Sequence, residues 1–181
     1  MRMTGTDYDL LEQQVASLFE SERDLIANAA NFSAFVFHEL PLVNWAGFYF
    51  PDRGDLLLGP FGGKPACVRL AAGQGVCGAA FTSGTTVVVD DVNAFAGHIA
   101  CDAASRSEIV LPLLVRGGVA GVFDIDSPVA SRFTPRDRAG LERLVTRFVA
   151  LTWFPDAYPW RPPAEPELAR GVDVAGKPGV P

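Results

Sequence analysis

Two apolar runs, Glu108 to Val115 and Val119 to Ile125, are separated only by Arg116-Gly117-Gly118. A connection that short cannot carry a crossover, so the runs must pair antiparallel, as a hairpin with a glycine-containing turn. A purely helical fold is thereby excluded, and the rest of the chain has to supply partners for this hairpin and cover for its apolar face.

The aromatic-rich run Asn44 to Phe50 closes at Pro51-Asp52-Arg53-Gly54, the composition of a strand followed by a tight turn, and Asp55 to Gly59 reads as the returning strand. A third short strand is expected near Ala66 to Leu70. Gly73-Gln74-Gly75 then leads into a short helical segment at Val76 to Ser83, and Val87 to Val89 reads as a short buried strand. Helical spacing governs the N-terminal part: Leu10, Leu11, Val15, Leu18 and Phe19, then Leu25, Ile26, Phe32, Phe35 and Val36, stopped by Pro41. This predicts two helices, or one broken near Glu20 to Asp24. A last helix opens with Thr134 as cap and Pro135 in its first turn, carries Leu141, Leu144, Val145, Phe148, Val149 and Leu151 on one side, and stops near Phe154-Pro155. The order of elements predicts an α+β fold with a central, mostly antiparallel sheet and helices packed on it.

A chain of 181 residues fits one compact domain. Seven of its 14 prolines are Pro155, Pro159, Pro162, Pro163, Pro166, Pro178 and Pro181, with few apolar residues between them. The expectation is therefore a folded domain over 1–154 and a Pro-rich tail over 155–181 that is mobile or lies on the surface.

A formal net charge of −6, with no basic run interleaved with aromatics, gives no surface to neutralise phosphates and argues against nucleic acid. No stretch approaches the roughly 20 apolar residues that span a bilayer, and no basic segment followed by an apolar one opens the chain, so a cytoplasmic, membrane-free protein is expected. Three cysteines, Cys67, Cys77 and Cys101, are too few and too odd in number for a secreted disulfide framework. Such thiols are either buried filler or chemistry.

Four places carry residue types suited to chemistry. Along Asn44 to Phe50, alternation puts Trp45, Gly47 and Tyr49 on one face. The two rings flanking a glycine either form an aromatic notch for a methyl or thioether group, or fill the core. In Gly121 to Pro128, Asp124 and Asp126 share a strand face at the end of an apolar segment, and Glu108 opens the neighbouring strand. Crowded there in a partly dry pocket, at least one carboxyl is held protonated near neutral pH; alternatively the three cap the hairpin in water, with Asp126-Ser127-Pro128 as a turn. The stretch from Asp90 to Ser107 reads as a long loop in which Cys101 sits with His98 and Asp102, where a thiol meets reagents. Cys77, between Val76 and Gly78, reads as a buried small residue, whereas Cys67 stands at the mouth of a strand, and its spacing to Cys101 neither requires nor excludes a disulfide. No Cys-x-x-Cys pair exists and the cysteines and two histidines are scattered, so no metal is expected; His38, at a helix end, is given no role.

Taken in order, Asn44-Trp45-Ala46-Gly47-Phe48-Tyr49, Gly59-Pro60-Phe61 with Lys64-Pro65-Ala66-Cys67, Gly75-Val76-Cys77-Gly78, Gly97-His98-Ile99-Ala100-Cys101-Asp102, Ser107-Glu108-Ile109-Val110 and Asp124-Ile125-Asp126-Ser127-Pro128 resemble the free methionine-(R)-sulfoxide reductases, from about Asp7 to Phe154. The resemblance implies a GAF domain with a small closed pocket for free methionine-(R)-sulfoxide. It implies Cys101 as the catalytic thiol, Cys67 as the resolving thiol and Cys77 as an additional thiol outside the central cycle. Trp45, Tyr49, Glu108, Asp124 and Asp126 match the family's substrate pocket, with Glu108 or Asp126 as the acid and Asp124 holding the substrate ammonium. It further implies sulfenic acid chemistry at Cys101, a Cys67 to Cys101 disulfide, thioredoxin or another external dithiol as reductant, no bound cofactor, and a homodimer. The rival expectation is a stand-alone GAF sensor of a small molecule, in which the cysteines are redox switch or filler.

Overall fold

The computed structural model describes residues 5–95 and 103–155. Its elements are α1 (Tyr8–Leu18), α2 (Leu25–Glu39), β1 (Trp45–Asp52), β2 (Asp55–Gly63), β3 (Arg69–Ala71), α3 (Gly75–Ser83), β4 (Val87–Val89), a 3-10 turn (Val92–Ala94), β5 (Ser107–Val115), β6 (Gly118–Ser127) and α4 (Pro135–Leu151). The alternative at the N-terminus resolves as two helices. Asp7 and Asp24 each cap one, accepting from the backbone N–H of Leu10 and Ala27, and Asp24 can serve only if the first helix has already ended. At α4 the Thr134 cap is doubled: Thr134 and Asp137 form a reciprocal capping box, with Pro135 opening the helix.

Six strands form one antiparallel sheet in the order β3-β2-β1-β6-β5-β4. Two-residue turns close both long hairpins: Arg53-Gly54 joins β1 to β2, and Arg116-Gly117 joins β5 to β6. All four residues lie at positive φ, the backbone that matches the twist of a tight hairpin and that glycine adopts without strain. The second strand runs to Gly63, four residues beyond its expected end at Gly59. Pro60 lies past the part of β2 that pairs with β3, which covers only Asp55 to Leu57, so its missing N–H leaves no ladder bond unmade on that side. The extra residue opposite Phe48 appears as a register shift between Gly47 and Tyr49.

Strand alternation gives the sheet two different faces. Ala46, Phe48, Ile109, Leu111, Phe123 and Ile125 point to one face, where Phe19, Phe32, Val36, Leu141, Leu144 and Phe148 of the N-terminal helices and α4 complete the main core. The opposite face carries Trp45, Tyr49, Val110 and Val122, packed against Val76, Cys77 and Ala80 of α3 and against Leu56, Leu70, Val89 and Val92. Burying the first face anchors the strands; the second face, covered among the described residues by α3 and connecting segments, holds the site.

The third strand is displaced from its expected position at Ala66 to Leu70 to Arg69–Ala71. The Trp45 indole N–H donates to the Lys64 carbonyl (3.1 Å) and the Tyr49 hydroxyl donates to the Cys67 carbonyl (2.9 Å), so residues 64–67 are drawn across the second face instead of joining the sheet edge. Of the segment expected as a long loop, Val92–Ala94 forms a 3-10 turn; Cys101, with Gly97, His98 and Asp102, lies outside the described residues, as does the tail from residue 156 on. No helix among the described residues is long and apolar enough to cross a membrane.

Candidate active site

The hairpin that constrains the fold also assembles the site. Cross-strand pairing places Trp45, Asp126 and Glu108 in one row across β1, β6 and β5, and Gly47, Asp124 and Val110 in the next row along. Because directly opposed residues share a face, three acids from two strands and the Trp45 ring meet on the second face of the sheet. Residues 64–66 and the first turn of α3 wall them in. The resulting pocket is lined by Trp45, Tyr49, Lys64, Glu108, Asp124 and Asp126, with Gln74, Gly75, Val76, Cys77 and Ser105 among the remaining wall residues.

Trp45 and Tyr49 stack with ring centroids 5.9 Å apart, and Phe61 stacks on the other side of Trp45 at 5.5 Å. Gly47 is the residue that permits this. A Cβ there would collide with the Trp45 ring and the Phe61 side chain. The glycine notch is therefore filled by the Trp45 ring itself, and the two readings of the aromatics merge: both rings are buried, and both line the pocket.

The acids are not capping the hairpin in water. Glu108 and Asp124 are each only 6% exposed, and Asp126 and Ser127 belong to β6 and not to a turn. Burial, reinforced by the charges of Asp124 and Asp126, pushes the Glu108 carboxyl well above the usual carboxylate range, and it donates a hydrogen bond to Asp124. Burial also raises Asp124, to about 7, against the pull of donors from Cys77, Glu108 and the Ile125 backbone N–H. The pair holds a proton at neutral pH, with Glu108 as its donor side. Asp124 Oδ1 is buried with no hydrogen-bond partner among the described residues, while Cys77 Sγ donates to Oδ2 at 3.4 Å.

Cys77 is buried as expected, free, and raised well above an ordinary thiol, first by burial and then by the Asp124 and Glu108 charges. Cys67 is disulfide-bonded. Sequence reasoning missed Cys77's place in the site: its sulfur and the carboxyls of Glu108 and Asp124 lie within 4.8 Å of one another, and 47 residues separate it from Asp124. It missed Gln74 and Ser105 on the wall as well. The Gly73-Gln74-Gly75 break was the available signal for Gln74; Ser105 had none. His38, in the last turn of α2, does not line the pocket.

Residues 9–153 match the model of the GAF domain. Protein YtsP of Bacillus subtilis is 56% identical over 144 residues, which cover 78% of this chain and 86% of YtsP. The free methionine-R-sulfoxide reductase of Escherichia coli is 49% identical over 140 residues, 77% of this chain and 85% of that protein. The chain belongs to the GAF-domain family of free methionine-R-sulfoxide reductases. The structure of a family member from Neisseria meningitidis, in complex with its substrate, superposes with a TM-score of 0.77 at 40% identity, covering 80% of this chain and 87% of that one. The fold is thus a GAF domain, and the α+β reading with a mostly antiparallel sheet holds.

Proposed function

We propose that this protein reduces free L-methionine-(R)-sulfoxide to methionine in the pocket between β1, β5, β6 and α3. The observation that carries the reading is the buried Glu108–Asp124 pair sharing a proton beneath the Trp45 and Tyr49 rings. A sulfoxide oxygen leaves only if it is protonated, and a pocket that keeps a carboxyl protonated at neutral pH supplies that proton. The similarity to reductases of E. coli and N. meningitidis, the latter holding its substrate, supports the same assignment.

The two poles of the pocket fit a free amino acid. On one wall Asp124 and Asp126 offer negative oxygens to an ammonium; on the other, α3 begins with Gln74 making no side-chain cap, so first-turn N–H groups of Gly75 and Val76 face an α-carboxylate. The rings of Trp45 and Tyr49 take the methyl group and orient the sulfoxide, which is how one diastereomer is preferred.

Cys101 is the nucleophile. Its thiolate attacks the sulfoxide sulfur, Glu108 protonates the oxygen, and methionine departs as that hydroxyl passes to Cys101, leaving a sulfenic acid. The Cys67 thiol then attacks the Cys101 sulfur, forming a disulfide and releasing water, and thioredoxin or another dithiol restores both thiols. The disulfide-bonded state of Cys67 supports its part as resolving thiol. The cycle uses no bound cofactor or metal, and its setting is the cytoplasm.

The test is methionine release from the R and S sulfoxides, driven by dithiothreitol or thioredoxin. The expected result is turnover of the R form only, none for Cys101→Ser, and loss of mainly thioredoxin-driven recycling for Cys67→Ser. Binding without turnover of either form by the wild type would make the protein a GAF-domain sensor instead.

A further inference from the structure

Cys77 lies outside the proposed thiol cycle, yet it is not placed as filler. It sits in the first turn of α3 (Gly75–Ser83), is 4% exposed, and aims its sulfur at the floor of the pocket. Its Sγ lies 3.4 Å from Asp124 Oδ2, hydrogen-bonding distance for sulfur. Asp124 also accepts from Glu108, and Cys77 is the donor that holds Oδ2, whereas Oδ1 lies buried beside it. A carboxylate held by a donor on one oxygen cannot rotate freely, so its plane stays fixed against the pocket that Asp124 lines.

We propose that Cys77 is a positioning residue, whose S–H fixes the Asp124 carboxyl in the orientation that meets the ammonium of the bound amino acid while the acidic proton stays on Glu108. This rests on the reductase reading above and deepens it. Removing the S–H takes a donor from the ionised form of Asp124, which then holds a proton to higher pH and loses its grip on an ammonium there. The titratable groups that face Asp124 are Cys77 from α3, Glu108 from β5, Asp126 from its own strand and Tyr49 from β1, with Lys64 on the pocket wall. A filler would behave differently: serine and alanine would serve it equally.

The experiment measures the affinity of free L-methionine, the product, by calorimetry for wild type, Cys77→Ala and Cys77→Ser between about pH 6 and about pH 8. The loss of one weak S–H hydrogen bond predicts about three- to tenfold weaker binding for Cys77→Ala near the acid end, narrowing toward the alkaline end, with Cys77→Ser restored toward wild type by its hydroxyl. Equal affinities for alanine and serine variants, or a loss independent of pH, would overturn the proposal. So would wild-type affinity in both variants together with loss of thioredoxin-driven recycling, since Cys77 would then be a redox thiol. Methionine release by the wild type is followed in parallel. Its absence removes the reductase reading, whereas the pH dependence of binding still decides the role of Cys77.

Discussion

Asp124 is a carboxyl that the folded chain holds protonated longer than the unfolded chain does. Its ordinary value of 3.8 is raised to about 7 by burial. A group raised in the folded state lends stability that is fully present below its unfolded value and is lost as pH rises through the folded one. Wild type therefore gives up stability between about pH 4 and about pH 7 through this residue, and its partner Glu108 is raised in the same direction. Asp124→Asn keeps an acceptor for Cys77 and Glu108 but has no charge to bury. Thermal melts should show the variant within a degree or so of wild type near pH 4 and several degrees more stable near pH 8, at about 2–4 °C per kcal/mol for a domain of this size. Its methionine release should fall at least about a hundredfold, since on the proposed mechanism the ammonium loses its anion and the acid loses its partner. A melting difference that is flat across pH would contradict the assignment of the charge penalty to this site. At this scale the sequence was informative about identity and less so about environment: alternation put Asp124 and Asp126 on one face, but only the packed α3 and residues 64–66 make that face dry.

The elements show the same division. Tight turns, caps and strand faces depend on neighbouring residues, and Arg116-Gly117, Thr134-Pro135 and the Trp45/Gly47/Tyr49 alternation were legible for that reason. The shift of β3 to Arg69–Ala71 was not, because it follows from two long-range hydrogen bonds, Trp45 to Lys64 and Tyr49 to Cys67, that no local pattern encodes. The contact of Cys77 with Asp124 was hidden by the same distance in sequence. These bonds make β1 the element that carries both the pocket floor and the segment bearing Cys67. Gly47→Ala, which forces a Cβ against Trp45 and Phe61, should displace the ring, cost about 1–3 kcal/mol in denaturant unfolding, and raise KM for the sulfoxide by about tenfold. Tyr49→Phe keeps the ring and removes only the bond to the Cys67 carbonyl. It should leave KM within about twofold and slow thioredoxin-driven recycling relative to the dithiothreitol reaction, a comparison that separates the two duties of the strand.

Across the whole molecule, the sheet acts as a partition. One face is sealed by α1, α2 and α4 around Phe19, Phe32, Phe48, Phe123 and Phe148; the other spends its burial on acids, a thiol and stacked rings. A protein built this way should be stabilised mainly from the helical side and destabilised from the catalytic side, and the two should separate by mutation. Phe148 tests the separation: it is fully buried, with ring centroids 4.9 Å from Phe48, 5.0 Å from Phe32 and 6.1 Å from Phe19. Phe148→Ala removes those contacts and leaves a cavity, a change that costs about 3–5 kcal/mol and, at the scale given above for a domain of this size, lowers Tm by about 6–20 °C. Below that melting point its KM for methionine-(R)-sulfoxide should stay within about twofold of wild type, because no atom of Phe148 reaches the pocket face and the sheet backbone between them is pinned by ladders on both sides of β6. Asp124→Asn should do the reverse near pH 8, gaining stability while losing turnover. If Phe148→Ala raised KM in step with its loss of stability, strain would be passing through the sheet, and the pocket geometry would depend on helical packing that lies on its far side.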